Sequence, residues 1–74
     1  MRLLTRRPPR YTPEHRARLA RQYDQQATHD DQAARQLETL GRTNEADIHR
    51  RTAAEWRSLA DAARTSSRAL EHLT

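Results

Sequence analysis

The chain has 74 residues and a formal net charge of +4, from 14 Arg, no Lys and ten acids. Twelve Ala and eight Leu make up most of its apolar content, and a chain this short buries only about 60% of its unfolded surface, so an isolated monomer is expected to be marginal. The absence of Cys excludes a disulfide framework, a thiolate zinc site and a thiol nucleophile, and no stretch approaches the roughly 18 apolar residues of a membrane span.

The basicity is concentrated at the start. Residues 1–21 carry seven Arg against Glu14 alone, while the rest carries seven Arg and nine acids. Pro8, Pro9 and Pro13 fix φ and remove amide donors, so residues 1–12 read as an extended, flexible Arg/Pro-rich arm. Thr12, Pro13 and Glu14 then supply a hydroxyl cap, a proline for the first helical position and an acid for the first turn. Beyond them no Gly or Pro occurs before Gly41, and Ala20, Tyr23, Ala27, Asp30, Ala34, Leu37 and Gly41 alternate steps of three and four. This predicts a helix over residues 13–40. Its weak point is Thr28 to Asp31, where an acid occupies the seam and a hydroxyl could cap a new helix, so a kink or break there is the alternative to one continuous helix.

Gly41 marks the turn, over residues 41–44, and Thr43 and Asn44 are read as caps for a second helix over residues 45–72. Its seam runs through His49, Thr52, Trp56, Leu59, Ala63, Ser66, Leu70 and Leu73, flanked by Ile48, Ala53 and Ala60, with no breaker. The fold class is therefore all-α: an antiparallel two-helix hairpin behind a basic arm, completed as a helical bundle by dimerisation or by docking on a larger protein. Facing residues should have numbers totalling about 85, which sets Ile48 near Leu37, Trp56 near Ala27 and Asp30, Tyr23 near Ala60 and Ala63, and Leu70 near Ala17. Tyr23, Leu37, Ile48, Trp56, Leu59, Ala63 and Leu70 are the predicted core and interface residues.

The stretch from Leu37 to Ala46, with Ala34, Leu37, Gly41, Ala46 and Ala53 at matching places, resembles the turn of a tetratricopeptide repeat. That resemblance implies a peptide-binding helical array, and it covers about 25 residues. The sequence departs from the pattern at Arg50, where the repeat has an aromatic, at Ser58, where it has proline, and in the length of both helices. The likeness supports the helix-turn-helix geometry alone.

Function is read from charge. Arg10 precedes the helix cap and His15, Arg16 and Arg18 follow it, although a helix amino end favours acids and a misplaced cation costs about 0.3–1 kcal/mol. A polyanion would compensate. Arg2, Arg6, Arg7, Arg10, Arg16, Arg18 and Arg21 are accordingly the candidate nucleic-acid contacts, for DNA or RNA, with Tyr11 as a candidate base stacker. The alternatives are a solubilising tail supported by an ordinary Glu14 to Arg18 pair, and a pure protein interaction module that is an adaptor, inhibitor or subunit. Arg50, Arg57 and Arg64, spaced by seven with Arg68 beyond them, are read as a solvated stripe facing away from the seam, paired with Asp47, Asp61 and Glu71.

The four His do not make Glu-x-x-His spacing, because Ala46 and Ala69 stand three residues before His49 and His72, so neither a metal nor a cofactor is expected. With no Gly-rich phosphate loop and no nucleophile elbow, no catalytic residue is assigned. The expectation is a small non-enzymatic accessory or regulatory protein in the cytoplasm, self-associating through the hairpin, touching nucleic acid through the arm and making no membrane contact.

Overall fold

A computed structural model describes residues 9–74; Arg2, Arg6, Arg7 and most of the predicted arm lie outside them. The described chain is all-α, with α1 at Pro13–Thr39, α2 at Thr43–Thr65 and α3 at Ser67–Leu73. The two long helices form the expected hairpin.

α1 begins as its sequence dictates. The Thr12 hydroxyl accepts the His15 amide at 3.1 Å, Pro13 occupies the first turn, and the helix then runs unbroken through Thr28 to Asp31. The continuous helix is kept over the alternative break because the acid in the seam is satisfied from across the hairpin: Asp30 accepts a 2.8 Å hydrogen bond from His49 Nδ1. α1 ends in a six-to-one bond from the Arg42 amide to the Leu37 carbonyl (2.8 Å), with the Gly41 amide bonded to Glu38 (2.9 Å). This closure requires a left-handed residue, and Gly41 supplies it at φ 77°. Nothing lies within 4 Å of where a Cβ would stand on Gly41, so the cost of Gly41→Ala is purely that of the backbone conformation. It should amount to about 1 kcal/mol, read as a lowered urea midpoint, with Gly41→Asn losing less.

The start of α2 differs from expectation. The cap residue is Arg42, with Thr43 and Asn44 already inside the helix, and Arg42 makes no side-chain cap bond. Its guanidinium instead holds Glu45 in a fork at 2.6 and 2.7 Å. An exposed bidentate ion pair thus stands at the start of α2 where the hydroxyl cap was expected.

The seam is alanine. Ala20, Ala27 and Ala34 recur every seven residues on α1 and are at most 3% exposed; Ala46, Ala53 and Ala60 recur likewise on α2 and are fully buried. Paired from opposite ends, their numbers total 80 in every layer, while the ion pairs described below total 88, so the two sets bracket the predicted register of 85. A seven-residue repeat keeps one stripe facing the partner along the whole hairpin, and side chains of one carbon permit a close approach of the two backbones. Tyr23, Asp30 and Leu37 lie half-buried beside the α1 stripe as predicted, but on α2 the innermost line is the alanine stripe with Ala63, whereas Thr52 and Leu59 sit half-buried on its flank.

The second helix does not continue to residue 72. Ser66 leaves the helix at φ −174°, ψ 163°, and its hydroxyl accepts the Ala69 amide at 3.0 Å, starting α3. The seryl side chain competes with the helical backbone at this point. The change of direction lays Leu70, fully buried, on Ala20, Ala62 and Ala63, with Tyr11, Leu19, Tyr23 and Leu59 around them. Among the described residues this is where large apolar side chains gather, and it lies at the end of the hairpin away from the turn.

Candidate functional site

The open end of the hairpin brings the start of α1, the end of α2 and α3 together, and Tyr11 ties them. Its amide donates to Ser67 Oγ at 3.0 Å, its hydroxyl lies 3.3 Å from Thr74 Oγ1, and Ser67 Oγ in turn donates to Glu71 at 2.7 Å. The Tyr11 ring stacks on His15 with centroids 5.7 Å apart, and the Arg10 guanidinium lies 5.7 Å from its centroid. The residue expected to stack on a base is thus already engaged within the chain.

The candidate phosphate contacts divide into groups. Arg2, Arg6 and Arg7 fall outside the described residues. Arg10, Arg18 and Arg21 are exposed, and among the described residues none of the three forms an ion pair; Arg18 approaches His15 Nδ1 at 3.4 Å and does not pair with Glu14. Arg16 points inward. Its NH1 donates to the Ala63 carbonyl at 2.9 Å, and its Nε is buried without a partner. Ala63 lies in the last turn of α2, where carbonyls lack helical partners and the helix end is partially negative. The antiparallel arrangement therefore compensates this cation within the protein, since the amino end of α1 lies beside the carboxyl end of α2.

The second arginine set is placed otherwise than its sequence position implied. Arg50, Arg57 and Arg64 cross to Glu38, Asp31 and Asp24 of α1, three carboxylates that also recur every seven residues. Only the Asp47 and Asp61 pairs within α2 match the earlier reading, at 3.0 and 3.8 Å. The stripe thus lines one broad face of the hairpin, next to the seam. The matching seven-residue spacing of opposite charges in the two halves was the signal that a reading confined to α2 missed. Most of these side chains are about half exposed, so each pair adds little stability on its own, and their value lies in holding register.

The ladder has an acid-dependent consequence. The hydrogen bond from Arg57 holds the Asp31 carboxyl below its ordinary value against an opposing effect of burial, with the charges of Arg57, Arg35 and Arg50 assisting. The same bond raises Arg57, and the bond to Asp24 raises Arg64. A carboxyl depressed in the folded state contributes stability that is present above its unfolded value, near 3.9, and lost as pH falls through the folded value. Urea midpoints followed from about pH 6 to about pH 2 should fall along this limb, and Asp31→Asn should flatten it.

Two aromatic residues complete the hairpin. Trp56 stacks on Tyr23, with centroids 5.7 Å apart and rings inclined by 23°. Of the remaining predicted core residues, Leu37 and Leu59 are half-buried, Ala63 and Leu70 are buried, and Ile48 is 57% exposed, clear of the seam. No helix among the described residues is long and apolar enough to cross a membrane, and no group of three or more His, Asp or Glu side chains among them is placed to hold a metal.

No protein-family model, curated protein or solved structure matches the chain. Its class follows from the fold alone: an alanine-seamed antiparallel helical hairpin closed at its open end by a short third helix.

Proposed function

We propose that this is a non-enzymatic accessory protein that self-associates through its hairpin and engages nucleic acid with its basic end. One observation carries the reading. From Arg35 to Arg68, four of the seven arginines are matched by carboxylates, whereas Arg10, Arg18 and Arg21 are all exposed without an ion pair among the described residues, and the eight residues before Pro9 add three arginines and no acid. Guanidinium groups in this state suit the bidentate geometry of phosphate, and contacts of that kind position a backbone without reading its sequence. Arg16 belongs to the hairpin's internal support.

The test is the salt dependence of binding to a mixed-sequence duplex and to single-stranded RNA. Each lost phosphate contact reduces the slope of log affinity against log salt by about 0.7–0.9, so replacing Arg10, Arg18 and Arg21 together with Gln should lower it by about two units. Arg35→Gln, at the far end of α1, should leave it unchanged. An unaltered slope in the triple variant would remove the role of the basic end. The competing reading, a protein interaction module without nucleic-acid binding, is favoured by the exposed Leu40 and Ile48, and it requires that neither polymer bind at low salt.

A further inference from the structure

The two broad faces of the hairpin differ in kind. One carries the ladder of Asp24, Asp31 and Glu38 with Arg64, Arg57 and Arg50. On the opposite face, the heptad line of α1 from Leu19 through Gln26 and Ala33 to Leu40 has no charge. On α2 the same face carries Ile48, Thr52, Leu59 and Ala62; its ionisable groups are Glu55 and His49, the latter already paired with Asp30 of α1 within the hairpin. The large hydrophobic residues that remain exposed, Leu40 at 69%, Ile48 at 57% and Leu73 at 52%, edge this face, which is sparse in charge beside the ladder.

We propose that a second copy of the chain, turned end for end, covers this face to form a four-helix bundle. The proposal deepens the self-association part of the function above and is independent of nucleic-acid binding. Three observations converge on that occupant.

The face is self-complementary. At its open end an apolar hollow of about 600 Å³ is lined by Ala62, Ser66, Ala69 and Leu73, with Arg68 and His72 at its side. At its turn end Leu40 and Ile48 project. Ile48 and Ala62 are two heptads apart on α2, hence on one side of it and about 21 Å from each other. A two-fold rotation about an axis beside Glu55 sets Ile48 of each copy over Ala62 of the other, so that one projection and one hollow serve the interface twice, as closed dimers require.

The area is sufficient. α1 is about 40 Å long and two adjacent helices are about 20 Å wide, which gives close to 800 Å² per partner, the size of a standard stable interface. Charge then selects the direction. Two copies aligned in the same sense would bring both basic ends together, whereas the end-for-end arrangement separates them by the length of the rod. It creates one like-charge contact, between Glu55 and its own copy at the axis.

Sedimentation equilibrium of the full chain over a wide concentration series, without nucleic acid, tests this. The expected result is a dimer that Ile48→Glu weakens by at least about tenfold, since the change occurs twice per dimer, while circular dichroism keeps its helix content. Arg51→Glu, on the outer edge of α2, should leave association unchanged. Glu55→Gln should tighten the dimer by about twofold to fivefold by removing the axial repulsion. A monomer throughout the series, a dimer indifferent to Ile48→Glu, or one loosened by Glu55→Gln would overturn the proposal. A dimer behaving as expected but ignoring DNA and RNA would overturn only the nucleic-acid part of the function.

Discussion

Replacing Leu70 by alanine should cost about 2–5 kcal/mol, the largest effect of any single truncation among the described residues. Leu70 is the one large side chain there that is fully buried, and with the smaller Ala69 beside it, it inserts α3 into the layer formed by Ala20, Ala62 and Ala63. Alanine neighbours cannot reach into the space it leaves, so the cavity would persist and the transfer energy of the lost carbons would be forfeited as well. The damage should be local first. The Leu70 and Thr74 amides, bonded to the Ser66 and Leu70 carbonyls at 3.2 and 3.1 Å, would lose hydrogen-exchange protection before the amides of α1. Tyr11 would lose its anchors on Ser67 and Thr74 as α3 loosens, so the start of α1 should fray in the same experiment. A loss below about 1 kcal/mol, with protection of α3 intact, would show that α3 does not depend on this contact.

Ala53→Leu should be damaging for the opposite reason. Ala53 has no exposed surface and stands at the middle of the α2 stripe, where small side chains let two backbones lie close together. Three added carbons have no room in the seam, and forcing the helices apart would cost about 1–3 kcal/mol or more while straining the ladder on the adjacent face. Ala54, the next residue, is exposed on the outer side of α2, so Ala54→Leu is the control and should stay within about 0.5 kcal/mol of the parent. Both variants have the same composition and nearly the same helix propensity, which restricts the comparison to the space available at each position. Urea unfolding followed by circular dichroism measures the difference. In a chain with so small a core, the first change should remove a large part of the total stability. If the two variants unfold at the same midpoint, the alanine seam is not close-packed.

Both predictions concern features that the sequence disclosed unequally. The seam of α1 was legible because Ala20, Ala27 and Ala34 repeat at an interval that only a helix pair would maintain, and Gly41 was legible as the sole glycine at the end of that pattern. On α2 the larger residues misled. Trp56, Leu59 and Leu73 suggested where the buried line should run, yet the innermost positions belong to Ala46, Ala53 and Ala60, because the bulkier side chains can reach the seam from its flanks. The candidate site was legible in composition and obscure in geometry. Seven arginines in the first 21 residues identify a basic end, but nothing in their spacing distinguishes Arg16, bonded to the Ala63 carbonyl, from the exposed Arg18 two positions on.

The sequence by itself determined the long helical pair, the turn between its members and the hand-over from a cationic beginning to a near-neutral body, since these rest on capping, periodicity and charge within a few residues of one another. Three matters were decided only in the folded chain: that Asp30 is tolerated in the seam, that Arg50, Arg57 and Arg64 belong to α1 as much as to α2, and that the chain turns at Ser66 to bury Leu70. Each depends on a partner between 12 and 50 residues away along the chain. Local rules carry no information about such a partner until the two helices lie side by side, because a charge or a methyl group acquires its energetic meaning from what it touches.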